Sequence, residues 1–266
     1  MARLPALKDV SVGHTSVGDA GVVHLVESAR LVRLDLKGSR ITNRACASLA
    51  RMTTLEYLNL AETSVDAAGI ESLASLTDLK ELYLPNTADA RALKTIASFR
   101  QLRFLSLRGC RLSASELEPL GSLKNLEGLS LGDTPVADDV VSVLRRMPSL
   151  RMLDVSGTGL TAEGVRQLSN IKQLEFLALA RLPVDDETIA SLSVLQNLQI
   201  LDLSGTQITD AAVETLTALP HLKTVNLNAT GVSPEAAACL ADTLKRRSSS
   251  ESPDEKEELP VGPTSR

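Results

Sequence analysis

Leucine and polar residues alternate in a short run, L-x-x-L-x-L, that returns along the chain at a nearly fixed interval, with Val replacing Leu at some later positions. The first leucines are Leu7, Leu31, Leu55, Leu79, Leu102, Leu126, Leu150, Leu174, Leu198 and Leu222. Every step is 24 residues except that from Leu79 to Leu102, which is 23. In the unit 198–221, Leu201 and Leu203 alternate with Ile200, Asp202 and Ser204, the period of a strand with one buried face. Eight residues after the first leucine stands Thr206, matched elsewhere by Thr15, Ser39, Thr63, Thr87, Cys110, Thr134, Thr158, Leu182 and Thr230. A hydroxyl both donates and accepts, so this column is expected to bridge the backbone of successive buried turns. Cys110 can do so weakly and Leu182 not at all.

A short helix is expected next. Thr209 has counterparts in Thr42, Asp66, Ser113, Thr161, Asp185 and Ser233, all residues that cap helix N-termini. Ser113 with Glu116 forms a capping-box pattern. Val213, Leu216 and Leu219 follow at helical spacing. Strand, turn and helix repeated about ten times predict an α/β solenoid: an arc with a parallel concave sheet and short convex helices.

These units resemble the leucine-rich repeat superfamily over roughly residues 4–246. The run Gly205, Thr206, Gln207, Ile208, Thr209, Asp210, with Thr where Asn is usual, is similar to a 24-residue subtype found in bacteria and in some protozoan proteins. The resemblance implies a protein-binding module and no particular ligand.

The solenoid is assigned to residues 1–247 and a Ser/Glu/Pro-rich disordered tail to 248–266, where Ser248 and Ser252 are candidate phosphate acceptors. Repeat four is one residue short, with Pro85 in its strand and Ala88, Asp89, Ala90 and Arg91 replacing the usual turn. That reads either as loop drift or as a local kink. Leu4 and Pro5 match Met147 and Pro148, so the first strand follows the end of a unit with no polar cap before it. A protein partner covering this N-terminal edge is one expectation.

Composition narrows the function. A net charge of −5 argues against a nucleic-acid or anionic-membrane binder. No apolar run reaches the ~18 residues of a membrane span, and no secretory signal is visible. Three cysteines at unrelated repeat positions, without Cys-rich caps, point to a reduced intracellular, cytoplasmic setting. His14, His24 and His221 are scattered, no metal-ligand spacing occurs, and no cofactor is expected. Phosphate-loop and nucleophile-elbow motifs are missing, so no enzyme is expected. The doublets Asp138–Asp139 and Asp185–Asp186 sit at helix starts and suit the dipole. Cys46, Cys110 and Cys239 read as structural.

Three outward stripes remain on the strands. The inner one is Asp9, Arg33, Tyr57, Glu81, Phe104, Gly128, Met152, Phe176, Ile200 and Thr224. The middle one is Ser11, Asp35, Asn59, Tyr83, Ser106, Ser130, Asp154, Ala178, Asp202 and Asn226. The third includes Lys37, Pro85 and Arg108 and is mostly small or polar. Of the five aromatic residues, only Phe99 takes a helix core position. Tyr57, Tyr83 and Phe104 form one expected patch, and Met152, Phe176 and Ile200 a second. Tyr83 near Arg108 has the composition of an interface hot spot. The stripes carry Arg33, Lys37 and Arg108 against Asp9, Asp35, Glu81, Asp154 and Asp202, an interleaved balance unlike a phosphate groove. The expected function is a non-enzymatic scaffold or adaptor binding a protein partner through Tyr57, Glu81, Tyr83, Phe104, Arg108, Met152, Phe176 and Ile200. The alternatives are a structural subunit of a large intracellular assembly and, less favoured, a substrate receptor of a ubiquitin ligase.

Overall fold

A computed structural model describes residues 7–28 and 30–250 of the chain. Leu4 and Pro5, the tail from 251 with Ser252, and the side chain of Ser248 lie outside the described residues. Among the described residues there are ten strands: β1 (Asp9–Ser11), β2 (Arg33–Asp35), β3 (Tyr57–Asn59), β4 (Glu81–Tyr83), β5 (Phe104–Ser106), β6 (Gly128–Ser130), β7 (Met152–Asp154), β8 (Phe176–Ala178), β9 (Ile200–Asp202) and β10 (Thr224–Asn226). They form one sheet in sequential order, and every described pair is parallel. The helices are α1 (Asp19–Ser28), α2 (Asn43–Leu49), α3 (Ala67–Glu71), α4 (Ala90–Ile96), α5 (Val140–Leu144), α6 (Ala162–Leu168), α7 (Asp186–Ser191), α8 (Ala212–Ala218) and α9 (Pro234–Ser250). Strands sit about 4.8 Å apart while packed helices need about 8–10 Å, so the stack bends with the sheet inside.

The core is a stack of aliphatic layers. Leu31, Leu34 and Leu36 are fully buried, and so are Leu55, Leu58 and Leu60 in the next layer. Each removes most of its side chain from water, worth about 1.5–3 kcal/mol. Phe99 is the large ring inside, as its helix position predicts. The missing residue of repeat four leaves the ladder intact: Glu81 still pairs with Phe104 and Tyr83 with Ser106. The turn absorbs it instead, with Asp89 capping α4 through the Arg91 N–H at 2.8 Å.

Three expectations change. The hydroxyl column does not bridge successive turns as a rule. Ser39, Thr63, Thr134, Thr158 and Thr206 each donate to the carbonyl three residues earlier in their own turn, at 2.5–2.7 Å. The crossings that do occur flank the irregular repeat: Thr87 donates to the Val65 carbonyl, and Cys110 Sγ to the Pro85 carbonyl at 3.4 Å. Ser113 and Glu116 do bond, the carboxylate accepting both the Ser113 N–H and its hydroxyl at 2.7 Å. No α-helix follows, because Pro119 lacks the N–H that a helix there would use, and the segment closes as the 3-10 helix Glu118–Ser122. Finally, Cys46 and Cys110 are buried, but Cys239 is exposed on α9.

The acidic doublets do more than face a dipole. Asp138 Oδ1 accepts the Thr161 N–H at 2.9 Å and Oδ2 the Thr161 hydroxyl at 2.7 Å. Asp19 holds Thr42, Asp186 holds Thr209 and Asp210 holds Ser233 in the same two-bond way. Asn43 does the equivalent with Asp66. Each fastens the helix start of one repeat to that of the next.

Candidate protein-interaction face

Strand register puts the inner stripe in line. Asp9 pairs with Arg33, Arg33 with Tyr57, Tyr57 with Glu81, Glu81 with Phe104, and so on to Ile200 and Thr224. Three-residue strands suffice, because parallel neighbours hold each side chain in place. The middle-stripe acids and amides finish the strands: Asp35, Asn59, Asp154 and Asp202 each accept the backbone N–H two residues on, at 2.9–3.0 Å.

Tyr83 lies between two rings, 5.5 Å from Tyr57 and 5.0 Å from Phe104 between centroids, both tilted. Such spacing is favourable for aromatic pairs. The Arg33 guanidinium sits 4.0 Å over the Tyr57 ring and pairs with Glu81 at 3.3 Å. Arg33 was not among the residues that the sequence singled out. Its place beside Tyr57 in the same stripe, one strand earlier, is the signal that could have found it. Burial pushes the Tyr57 and Tyr83 phenols up from their ordinary ionisation range, with Glu81 adding to the effect at Tyr83.

Phe104 and Met152 close over Gly128. A Cβ at Gly128 would stand 2.5 Å from Phe104 Cδ2 and 3.0 Å from Met152 Cε. The two patches expected from sequence are therefore one ribbon, from Tyr57 across Gly128 to Ile200. Tyr57, Tyr83, Phe104, Met152, Phe176 and Ile200 are all half-buried. The large hydrophobics that stand exposed among the described residues are Val23 and Val194, away from this stripe.

Arg108 is not a neighbour of the tyrosines in the way Arg33 is. Its guanidinium donates to Asp133 at 2.5 Å and to Asp154 at 3.2 Å. Asp154 also accepts the Ser130 hydroxyl at 2.9 Å, with 11% of its side chain exposed. Arg181 joins the group through Asp133. Below the ribbon, Glu56 pairs with Lys80, Arg103 with Glu127 and Arg151 with Glu175. Pairs this exposed contribute at most about 1 kcal/mol each, so they define a neutral, polar border rather than a source of stability. Among the described residues no cluster of His, Cys, Asp or Glu fits a metal ion, and no helix is long and apolar enough to cross a membrane.

The sequence profile described as Leucine-rich repeat region matches residues 85–249, and one described as Leucine Rich repeat matches residues 51–74. The first spans more than half of the 266 residues, and the chain belongs to the leucine-rich repeat family. Comparison with curated proteins finds no match. Among solved structures, the chain is similar to an internalin (inlF) of Listeria monocytogenes, with a TM-score of 0.49 and 19% identity over 89% of this chain and 85% of that one. It is also similar to internalin C2 (inlC2) of the same organism, with a TM-score of 0.48 and 22% identity over 83% of this chain and 80% of the other.

Proposed function

We propose that the chain is a non-enzymatic scaffold or adaptor that holds a protein partner against its concave strands. The observation behind this reading is the unbroken apolar ribbon from Tyr57 to Ile200, bordered by internally paired charges. From β3 to β9 it extends about 29 Å at the strand spacing. Large side chains half-exposed in a row, with aromatics at one end, have the composition of a contact surface. The polar border excludes no protein partner, yet offers no run of cations for a phosphate backbone. Leucine-rich repeat regions characteristically bind protein rather than catalyse, which agrees with this assignment.

The test uses a photo-crosslinking residue at Phe176, with one at exposed Val194 as control. A partner joined at Phe176 and not at Val194, and lost on Tyr83→Ala with Phe104→Ala, is the expected result. Undiminished capture by that double variant, with circular dichroism unchanged, would sink the reading.

A further inference from the structure

The middle stripe repeats one structural task along the sheet. Asp35, Asn59, Asp154, Asp202 and Asn226 each accept the backbone N–H two residues on, through one side-chain oxygen, at 2.9–3.1 Å. An amide oxygen does this as well as a carboxylate, as Asn59 and Asn226 show. A negative charge at this position is therefore not needed for the turn.

The three aspartates differ in what becomes of that charge. Asp154 is buried, and its Oδ2 takes Arg108 at 3.2 Å and the Ser130 hydroxyl at 2.9 Å. Asp35 and Asp202 are half-buried, and among the described residues no ion pair reaches either carboxylate. The Ser11 hydroxyl donates to Asp35 Oδ2 at 3.3 Å, and among the described residues nothing bonds to Asp202 Oδ2. The charges of the inner stripe, Asp9, Arg33 and Glu81, are joined to one another through Arg33 at 3.3–3.9 Å. On these two stripes, Asp35 and Asp202 are the carboxylates left without a cation among the described residues.

They stand at the two ends of the ribbon. Asp35 lies one strand before Tyr57, and Asp202 shares β9 with Ile200. The register carries the stripe from Asp35 through Asn59 and Tyr83 to Ala178 and Asp202 without a slip. Seven strand steps separate the two carboxylates, about 34 Å along the sheet. Between them Ser106, Ser130 and Ala178 are small and buried, so a segment laid on the stripe also reaches the ribbon. A carboxylate arriving at either end meets like charge, whereas a Lys or Arg meets its complement where water screens it less than at an open surface.

We propose that the partner segment bound on this face is apolar along its middle and basic at both ends, its Lys or Arg side chains paired with Asp35 and Asp202. The assignment rests on the concave ribbon being the contact surface. Basic groups spaced for both carboxylates stand about 23 residues apart in a helix, or about 10 in an extended chain.

The probe is a display library of random peptides about 24 residues long, selected on the immobilised full chain and retested on variants. Enriched peptides should hold Lys or Arg on both sides of an apolar stretch. Their affinity should fall at least ~10-fold on Asp35→Asn with Asp202→Asn, and about as much on Tyr83→Ala with Phe104→Ala. Either Asn substitution alone should give part of that loss. Asn keeps the turn bond, so the circular dichroism of the Asn variant should be unchanged. Peptides that need Tyr83 and Phe104 yet bind the Asn variant at full strength would overturn the charge pattern and leave the contact surface standing. A selection that yields no peptide dependent on Tyr83 and Phe104 overturns both.

Discussion

Asp138 grips Thr161 of the following repeat by two hydrogen bonds, to its backbone N–H and to its hydroxyl. A solenoid is stabilised by nearest-neighbour interfaces, so a contact spanning 23 residues in sequence acts on the coupling between units. The contact also needs room. Gly164 of α6 lies against the Asp138 carboxylate, and a methyl there would overlap it; Gly69 stands in the same relation to Asn43.

That geometry predicts a reversal of sign. Asp138→Ala should lower unfolding stability by about 1–2 kcal/mol, since two bonds to a carboxylate are lost at a partly exposed site. Gly164→Ala alone should destabilise by a similar amount, by driving the carboxylate off Thr161. In the Asp138→Ala background the same change should be neutral or stabilising, because the overlap is gone and Ala is the better helix former by about 1 kcal/mol. Urea unfolding of the four chains in a double-mutant cycle measures this. Additive effects would refute the link.

The thiols should react unequally. Burial pushes the Cys46 and Cys110 thiols up to about 11, with the Asp19 and Asp66 carboxylates adding to the effect at Cys46. Cys239 is exposed. A thiol reagent at neutral pH should label one cysteine in the native chain and all three after denaturation. Fast labelling of a second cysteine without denaturant would contradict the packing.

Most of the fold was legible because the leucine period fixes strand positions directly: every observed strand starts two residues after a first leucine. Register followed, and with it the alignment of Tyr57, Glu81 and Phe104. What stayed hidden was chemistry between repeats. Asp138 and Thr161 look unrelated along the chain until two helix starts are stacked. Gly128 stands between the two expected patches, and large neighbours lean into the space that a glycine leaves. Cys239 misled because, among the described residues, no further repeat packs on the outer face of α9. Ser113 misled because a capping pattern says nothing of Pro119 further on, which stops the helix.

The tyrosines offer a clean alkaline titration, since the chain has two of them and no tryptophan. Both phenols are raised chiefly by burial. The unfolded chain therefore loses these protons first, near pH 10, and above that pH it binds fewer protons than the native state. Stability contributed by the neutral phenols is fully present below pH 10 and falls as pH rises further. Tyrosinate absorbance should show midpoints above 10 in the native chain and near 10 in denaturant. Tyr57→Phe isolates Tyr83, whose midpoint should remain raised; an ordinary value there would mean that its ring is open to water.

Gly128 is the place where the ribbon can be parted without replacing any of its rings. A side chain there must displace the near edge of the Phe104 ring, at Cδ2, and the terminal methyl of Met152, and both side chains can rotate outward. The strand itself should tolerate the change, because Leu129 stays in the core and β-branched residues suit strands. Gly128→Val should therefore leave the urea midpoint within about 1 kcal/mol of the starting chain, while parting the aromatic end from Met152, Phe176 and Ile200. If a partner lies along the whole ribbon, its capture should fall at least ~10-fold, comparable to Tyr83→Ala with Phe104→Ala. Full capture by Gly128→Val together with loss in the aromatic variant would confine the contact to Tyr57, Tyr83 and Phe104. Crosslinks at Phe176 should then vanish as well, and the two measurements together fix how far along the arc the partner extends.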